Sequence, residues 1–144
     1  MENHKKRKMV HDVSGFSSYT NVDLSECLPL FLKFLAVNKV PNIQCVASDN
    51  LDDLDEYDLL ISNYAFAEID REEQMAYLRK AIIATPRGYV TYNNPNRYGL
   101  NPMPLDEFVS LLSQEGRSIE VMSEDPLTGA GNQVVIWRPT IEAL

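Results

Sequence analysis

The sequence predicts an α/β domain of the doubly wound type, a mainly parallel sheet with helices on its faces. Three observations predict it. Short β-prone runs alternate with helical patterns along 144 residues, a length that fits one domain. The run Leu59-Leu60-Ile61 is apolar without alternation, as in a strand covered on both faces. The last two strand patterns have no helix between them, which makes an antiparallel pair at the end of the chain.

The elements follow in order. Residues 18–23 are the first β-prone run, and Ser25 is a candidate cap for the helix after it. Leu28, Phe31, Leu32 and Leu35 give that helix one apolar face. Pro29 falls near its first turn, where proline is tolerated. Residues 42–47 read as the second strand, an acidic loop runs from Asp49 to Glu56, and residues 57–63 are the third strand. Asp70 and Glu73 have capping-box spacing, and Met75, Leu78, Ala81 and Ile82 continue that helix. Gly88 reads as its stop and residues 89–92 as the fourth strand. Pro104 suits the first turn of a third helix with Leu105, Phe108 and Leu112 on its face, stopped by Gly116. Residues 118–122 alternate and residues 133–137 are apolar, which completes the order β-α-β-β-α-β-α-β-β.

Composition narrows the function. With 44% hydrophobic residues the chain can bury a core, and a net charge of -8 argues against a nucleic-acid binder. The basic run Lys5-Lys6-Arg7-Lys8 could meet phosphates or anionic lipid, but it reads first as a solvated terminus. Residues 1–17 are therefore expected to be a poorly ordered basic segment and residues 18–144 the folded domain. No apolar run approaches the roughly 20 residues of a membrane span. The polar start lacks a signal region, and Cys27 and Cys45 read as isolated reduced thiols, so a cytoplasmic chain is expected. His4 and His11 both lie in the leading segment, which argues against a metal site.

Parallel sheets of this type bind ligands beyond the carboxyl ends of their strands. Asp23 ends the first strand, where it either accepts two ribose hydroxyls or caps the next helix. Asp49 and Asn50 end the second strand, as contacts to an adenine edge or as an ordinary turn. The richest segment is Ser62-Asn-Tyr-Ala-Phe-Ala-Glu68. Asn63 offers an amide, and Tyr64 or Phe66 could wall an aromatic or sulfonium ligand. Glu68 could act as a general base if desolvated. The plainer alternative makes Tyr64 and Phe66 core and Glu68 the start of a helix. Asn93 and Asn94 follow the fourth strand and could read sugar hydroxyls, or simply form a loop. Gly129-Ala-Gly131 opens no helix, so it is a turn and not a phosphate loop.

The segment Asp58-Leu-Leu-Ile-Ser-Asn-Tyr-Ala-Phe-Ala-Glu68 resembles the class I S-adenosylmethionine-dependent methyltransferases, most nearly the sugar O-methyltransferases. Tyr19-Thr-Asn-Val-Asp-Leu24 and Gly88-Tyr-Val-Thr-Tyr-Asn-Asn94 support the likeness, which covers roughly residues 18–138. The resemblance implies a Rossmann-like sheet in the strand order 3-2-1-4-5-7-6, mostly parallel with the last strand antiparallel. The six strands here would be its second to seventh. The cofactor implied is S-adenosylmethionine, with Asp23 at its ribose, Asp49 or Asn50 near its adenine, and Asn63 and Tyr64 near its methionine part. Glu68 as catalytic base, with Phe66, Asn93 and Asn94, would face a sugar or other small-molecule acceptor.

One feature departs from that family. The first strand, its glycine-rich loop and first helix should precede Asp23, yet residues 1–17 hold only the lone Gly15. A parallel crossover needs about a dozen residues or more. The first β-α unit therefore reads as missing. A truncated enzyme is one expectation. The other is a non-catalytic module whose open sheet edges pair in a homo-oligomer or with a partner chain that completes the sheet.

Overall fold

The computed structural model describes residues 16–40, 42–93 and 99–140. The basic run 5–8 and Asn94 lie outside these residues. The chain divides into two compact units, residues 1–53 and 54–144.

In the first unit, β1 (Tyr19–Asp23) and β2 (Ile43–Ala47) pair in parallel, with Tyr19 opposite Ile43 and Asp23 opposite Ala47. Parallel neighbours need a crossover, and α1 (Leu28–Asn38) supplies it. Its cap is Cys27, not Ser25. The reason is local: the Cys27 N–H closes a turn on the Leu24 carbonyl at 2.9 Å, so Ser25 lies inside that turn and the helix starts later. Pro29 sits in the first turn as expected. The buried face is narrower than the spacing implied. Phe31 and Leu35 are buried, but Leu32 is 51% exposed and Leu30 67%. A two-stranded sheet offers width for one i, i+4 ridge and little more.

The second unit holds β3 (Leu60–Asn63), β4 (Gly88–Tyr92), β5 (Arg117–Ser123) and β6 (Gln133–Pro139). Their order is β3-β4-β6-β5. β3 runs parallel to β4, and β6 runs antiparallel to both β4 and β5. This is the fourth-fifth-seventh-sixth order of the expected sheet, with its antiparallel strand in the expected place.

Two helices complete this unit. α2 (Arg71–Tyr77) starts after Asp70, as its spacing implied, but no capping box forms. The Asp70 carboxylate instead accepts the Asn101 N–H at 3.2 Å. The helix then widens into a π turn, Leu78–Ile82, in which the Ile83 N–H reaches the Leu78 carbonyl at 2.9 Å. Gly88 does not stop this helix; it opens β4. Thr85 ends the helix, its hydroxyl donating to the Ala81 carbonyl at 2.8 Å. α3 (Leu105–Gln114) ends near Gly116, whose φ of 70° suits a glycine.

The core of the second unit is aromatic at its centre. Phe66, Tyr92 and Phe108 stack and tilt against one another, and Phe108 meets Trp137 edge-on at 6.4 Å. Leu78, Ile82, Val90, Leu112 and Val135 close around them. The Leu59-Leu60-Ile61 run is less covered than its pattern implied: Leu59 is 55% exposed and Ile61 46%. Among the described strands β3 pairs only with β4, so strand side chains within its sheet flank it on one side.

Candidate functional site

The candidate residues fall at the carboxyl ends of strands, where parallel α/β sheets place ligands. In the first unit Asp23 closes β1, half-buried, and one carboxylate oxygen accepts the Leu24 N–H at 2.9 Å. That bond fixes the side chain at the strand end. It is not a helix cap, because α1 begins five residues later. Asp49 and Asn50 are exposed in the turn after β2, which the Asn50 N–H closes on the Ala47 carbonyl at 2.9 Å.

In the second unit the ends of β3 and β4 bring three predicted residues, Asn63, Glu68 and Asn93, into two pairs, one of them with Thr91. Asn63 ends β3, and its Oδ1 lies 3.5 Å from the Thr91 hydroxyl of β4. That hydroxyl also lies 3.2 Å from the Tyr89 Oη, and its one proton serves one of the two. Glu68 ends the short 3-10 turn Ala65–Glu68 after β3 and accepts the Asn93 Nδ2–H at 2.6 Å. The Asn93 Oδ1 is buried without a partner among the described residues. Glu68 itself is exposed, so burial does not desolvate it.

The other two residues of the segment part company. Phe66 is 4% exposed and belongs to the aromatic core, the plainer of its two alternatives. Tyr64 is not core. Its φ of 65° is a costly conformation for an aromatic residue, and such strain gathers at functional sites. Its hydroxyl donates to Glu124 and lies 2.7 Å from the Thr128 hydroxyl.

Two features were missed in the sequence. Gln74 is fully buried in α2; its Nε2–H donates to the Phe66 carbonyl at 2.8 Å and its Oε1 accepts the Met103 N–H. It thereby ties the turn that carries Glu68 to the segment before α3. A signal existed: Gln74 stands four residues before Leu78 and eight before Ile82, in phase with the apolar face. The Met103 carbonyl accepts the Tyr92 hydroxyl, and burial pushes that phenol up to about 12, so it stays protonated and donating. The second feature, the Glu124 cluster, had no local signal, because Tyr64 is 60 residues away.

An open groove of about 520 Å³ lies at the start of α2, lined by Asp70, Arg71, Glu72, Met75, Arg79 and Asn101. Arg71 is held in a forked pair with Glu107, which keeps the Glu107 carboxyl below its usual range.

No family model and no curated protein matches the sequence. Solved structures do match the fold. PigF, solved with SAH, superposes with a TM-score of 0.63 at 14% identity, over 94% of this chain and 48% of its own. The mitomycin 7-O-methyltransferase MmcR gives 0.67 at 15% identity, over 93% and 45%. An rRNA methylase from Streptococcus thermophilus gives 0.60 at 13% identity, over 86% and 74%. This chain thus has a Rossmann-like methyltransferase fold, and it spans about half the length of PigF and MmcR. Among the described residues, no helix is long and apolar enough to cross a membrane.

Proposed function

We propose that residues 18–144 are a methyltransferase-like domain that binds S-adenosylmethionine and serves methyl transfer to a hydroxyl of a sugar or other small acceptor. The observation that carries this reading is the gathering of Asn63, Glu68 and Asn93 at the ends of β3 and β4, in a sheet of methyltransferase strand order. The neighbours solved with SAH or SAM support the choice of cofactor. Each unit is read by itself: in the first, Asp23 keeps one carboxylate oxygen suited to ribose hydroxyls, and Asp49 and Asn50 offer polar groups suited to an adenine edge; in the second, Asn63 with the Tyr64 ring suits a methionine end.

When bound, the cofactor would supply an electrophilic sulfonium methyl for transfer to an alcohol oxygen. This chain's part is mainly positioning. The Asn93 amide holds the Glu68 carboxylate, and Glu68, exposed after β3, takes the acceptor's hydroxyl proton. The groove around Met75 offers planar polar groups that suit a polyol.

A second reading rests on a different observation. Among the described strands β1 pairs only with β2 and β3 only with β4, and Ile61 of β3 is 46% exposed. Such edges suit a non-catalytic module that pairs with a second copy or a partner chain. One titration separates the two. Calorimetry with S-adenosylhomocysteine is expected to give saturable heat, and Asp23→Ala to weaken binding about tenfold or more, the worth of a charge-assisted hydrogen bond. No heat at millimolar ligand, from a protein that self-associates in light scattering, selects the module.

A further inference from the structure

The turn between β5 and β6 reaches the end of β3 through one carboxylate. Glu124 accepts four hydrogen bonds: from the Tyr64 hydroxyl, from the Thr128 N–H at 3.0 Å, from the Thr128 hydroxyl at 2.7 Å, and from the Asn132 amide at 3.1 Å. The Asn132 amide also meets the Thr128 hydroxyl at 3.2 Å, and the Glu124 N–H donates to the Asn132 carbonyl at 3.2 Å. Among the described residues, three of these four donors come from its own turn and one from beyond it. That one comes from Tyr64, the residue with the costly backbone conformation. The Tyr64 carbonyl in turn accepts the Ala67 N–H at 2.8 Å, which starts the turn carrying Glu68.

We propose that Glu124 is a positioning residue: the β5–β6 turn braces Tyr64 and so sets the conformation of the strand-end segment 63–68. The inference deepens the reading above and rests on it for its ligand. It also assigns Tyr64 a specific part. The hydroxyl is committed to the brace, so only the ring is left for a bound ligand.

The chemistry of the cluster requires an ionised Glu124, because an ionised carboxylate only accepts. A proton on it would take up an acceptor position that these four donors use and remove the charge that strengthens their bonds. The Tyr64 hydroxyl and the Thr128 groups accordingly hold Glu124 down at about 2, and the same pairing raises the Tyr64 phenol. With the folded value depressed, the brace is complete above the ordinary carboxyl range and is lost as pH falls through about 2.

The test uses the full chain as wild type, Tyr64→Phe, Glu124→Gln and the double variant, each checked for an intact fold by the emission of its tryptophan. Amide exchange at Ala67 and Thr128 is expected to rise about tenfold in every variant, because the brace is one unit. Affinity for S-adenosylhomocysteine is expected to fall about tenfold in each single variant and no further in the double. Wild-type exchange at Ala67 in Glu124→Gln overturns the brace. Additive losses in affinity overturn the assignment of Tyr64, since its hydroxyl would then touch the ligand. A wild type that binds no S-adenosylhomocysteine overturns the cofactor reading and the ligand half of this proposal, while the Ala67 exchange still decides the brace.

Discussion

Gln74→Leu is expected to cost about 3 kcal/mol, because it leaves two buried backbone groups without partners. Leucine is close in size to glutamine, so the site stays filled. What is lost is the donor to the Phe66 carbonyl and the acceptor for the Met103 N–H, both of them buried bonds. Burying more apolar surface returns part of this, but an orphaned buried amide or carbonyl costs about 1–3 kcal/mol by itself. In a chain of this size the midpoint of thermal unfolding is expected to fall by about 10 °C. Calorimetric or circular-dichroism melting checks it. A change of a degree or two would mean that water replaces both bonds. The consequence extends to the site, since the Phe66 carbonyl belongs to the turn that ends at Glu68.

Gly88→Ala is expected to be as damaging, for a steric reason. A Cβ at this position would lie 1.9 Å from Cζ2 and 2.0 Å from Cη2 of Trp137. The indole cannot step aside. It is 1% exposed, and its Nε1–H donates to the Thr85 carbonyl at 3.1 Å. Overpacking of this kind costs about 3 kcal/mol. Gly116→Ala is the control. It has a φ of 70° but open space around it, so its cost is limited to about 1–2 kcal/mol of backbone strain. Denaturant melts followed by the emission of Trp137 compare the two directly. Equal midpoints for both variants would contradict the packing argument.

Gly88 also marks how far the sequence could be read. A glycine between a helical pattern and a strand pattern looks like a helix stop, but its reason lies across the sheet in Trp137 of β6. The elements themselves were legible. Helical faces such as Leu105, Phe108 and Leu112 follow local spacing, and all six strands appear where β-prone runs predicted them. Covering was less legible. Leu59 and Ile61 have the pattern of a strand enclosed on both faces, yet enclosure depends on neighbours, and β3 has a ladder on one side only among the described strands. Of the site, strand ends could be located, because polar residues directly after an apolar run are conspicuous. Pairing could be read only in part. Glu68 and Asn93 were both candidates, but their contact, like that of Tyr64 with Glu124, depends on residues far apart in the chain.

The central claim is that these strand ends retain the site of an adenosyl cofactor. Nuclear magnetic resonance of the labelled full chain, titrated with S-adenosylhomocysteine, tests it most directly. Saturable shifts are expected at the amides of Asp23, Asn63 and Tyr64, with Val135 in the core unmoved. Millimolar ligand that leaves those three amides in place, or that shifts only the groove residues Asp70, Arg71 and Arg79, would contradict it.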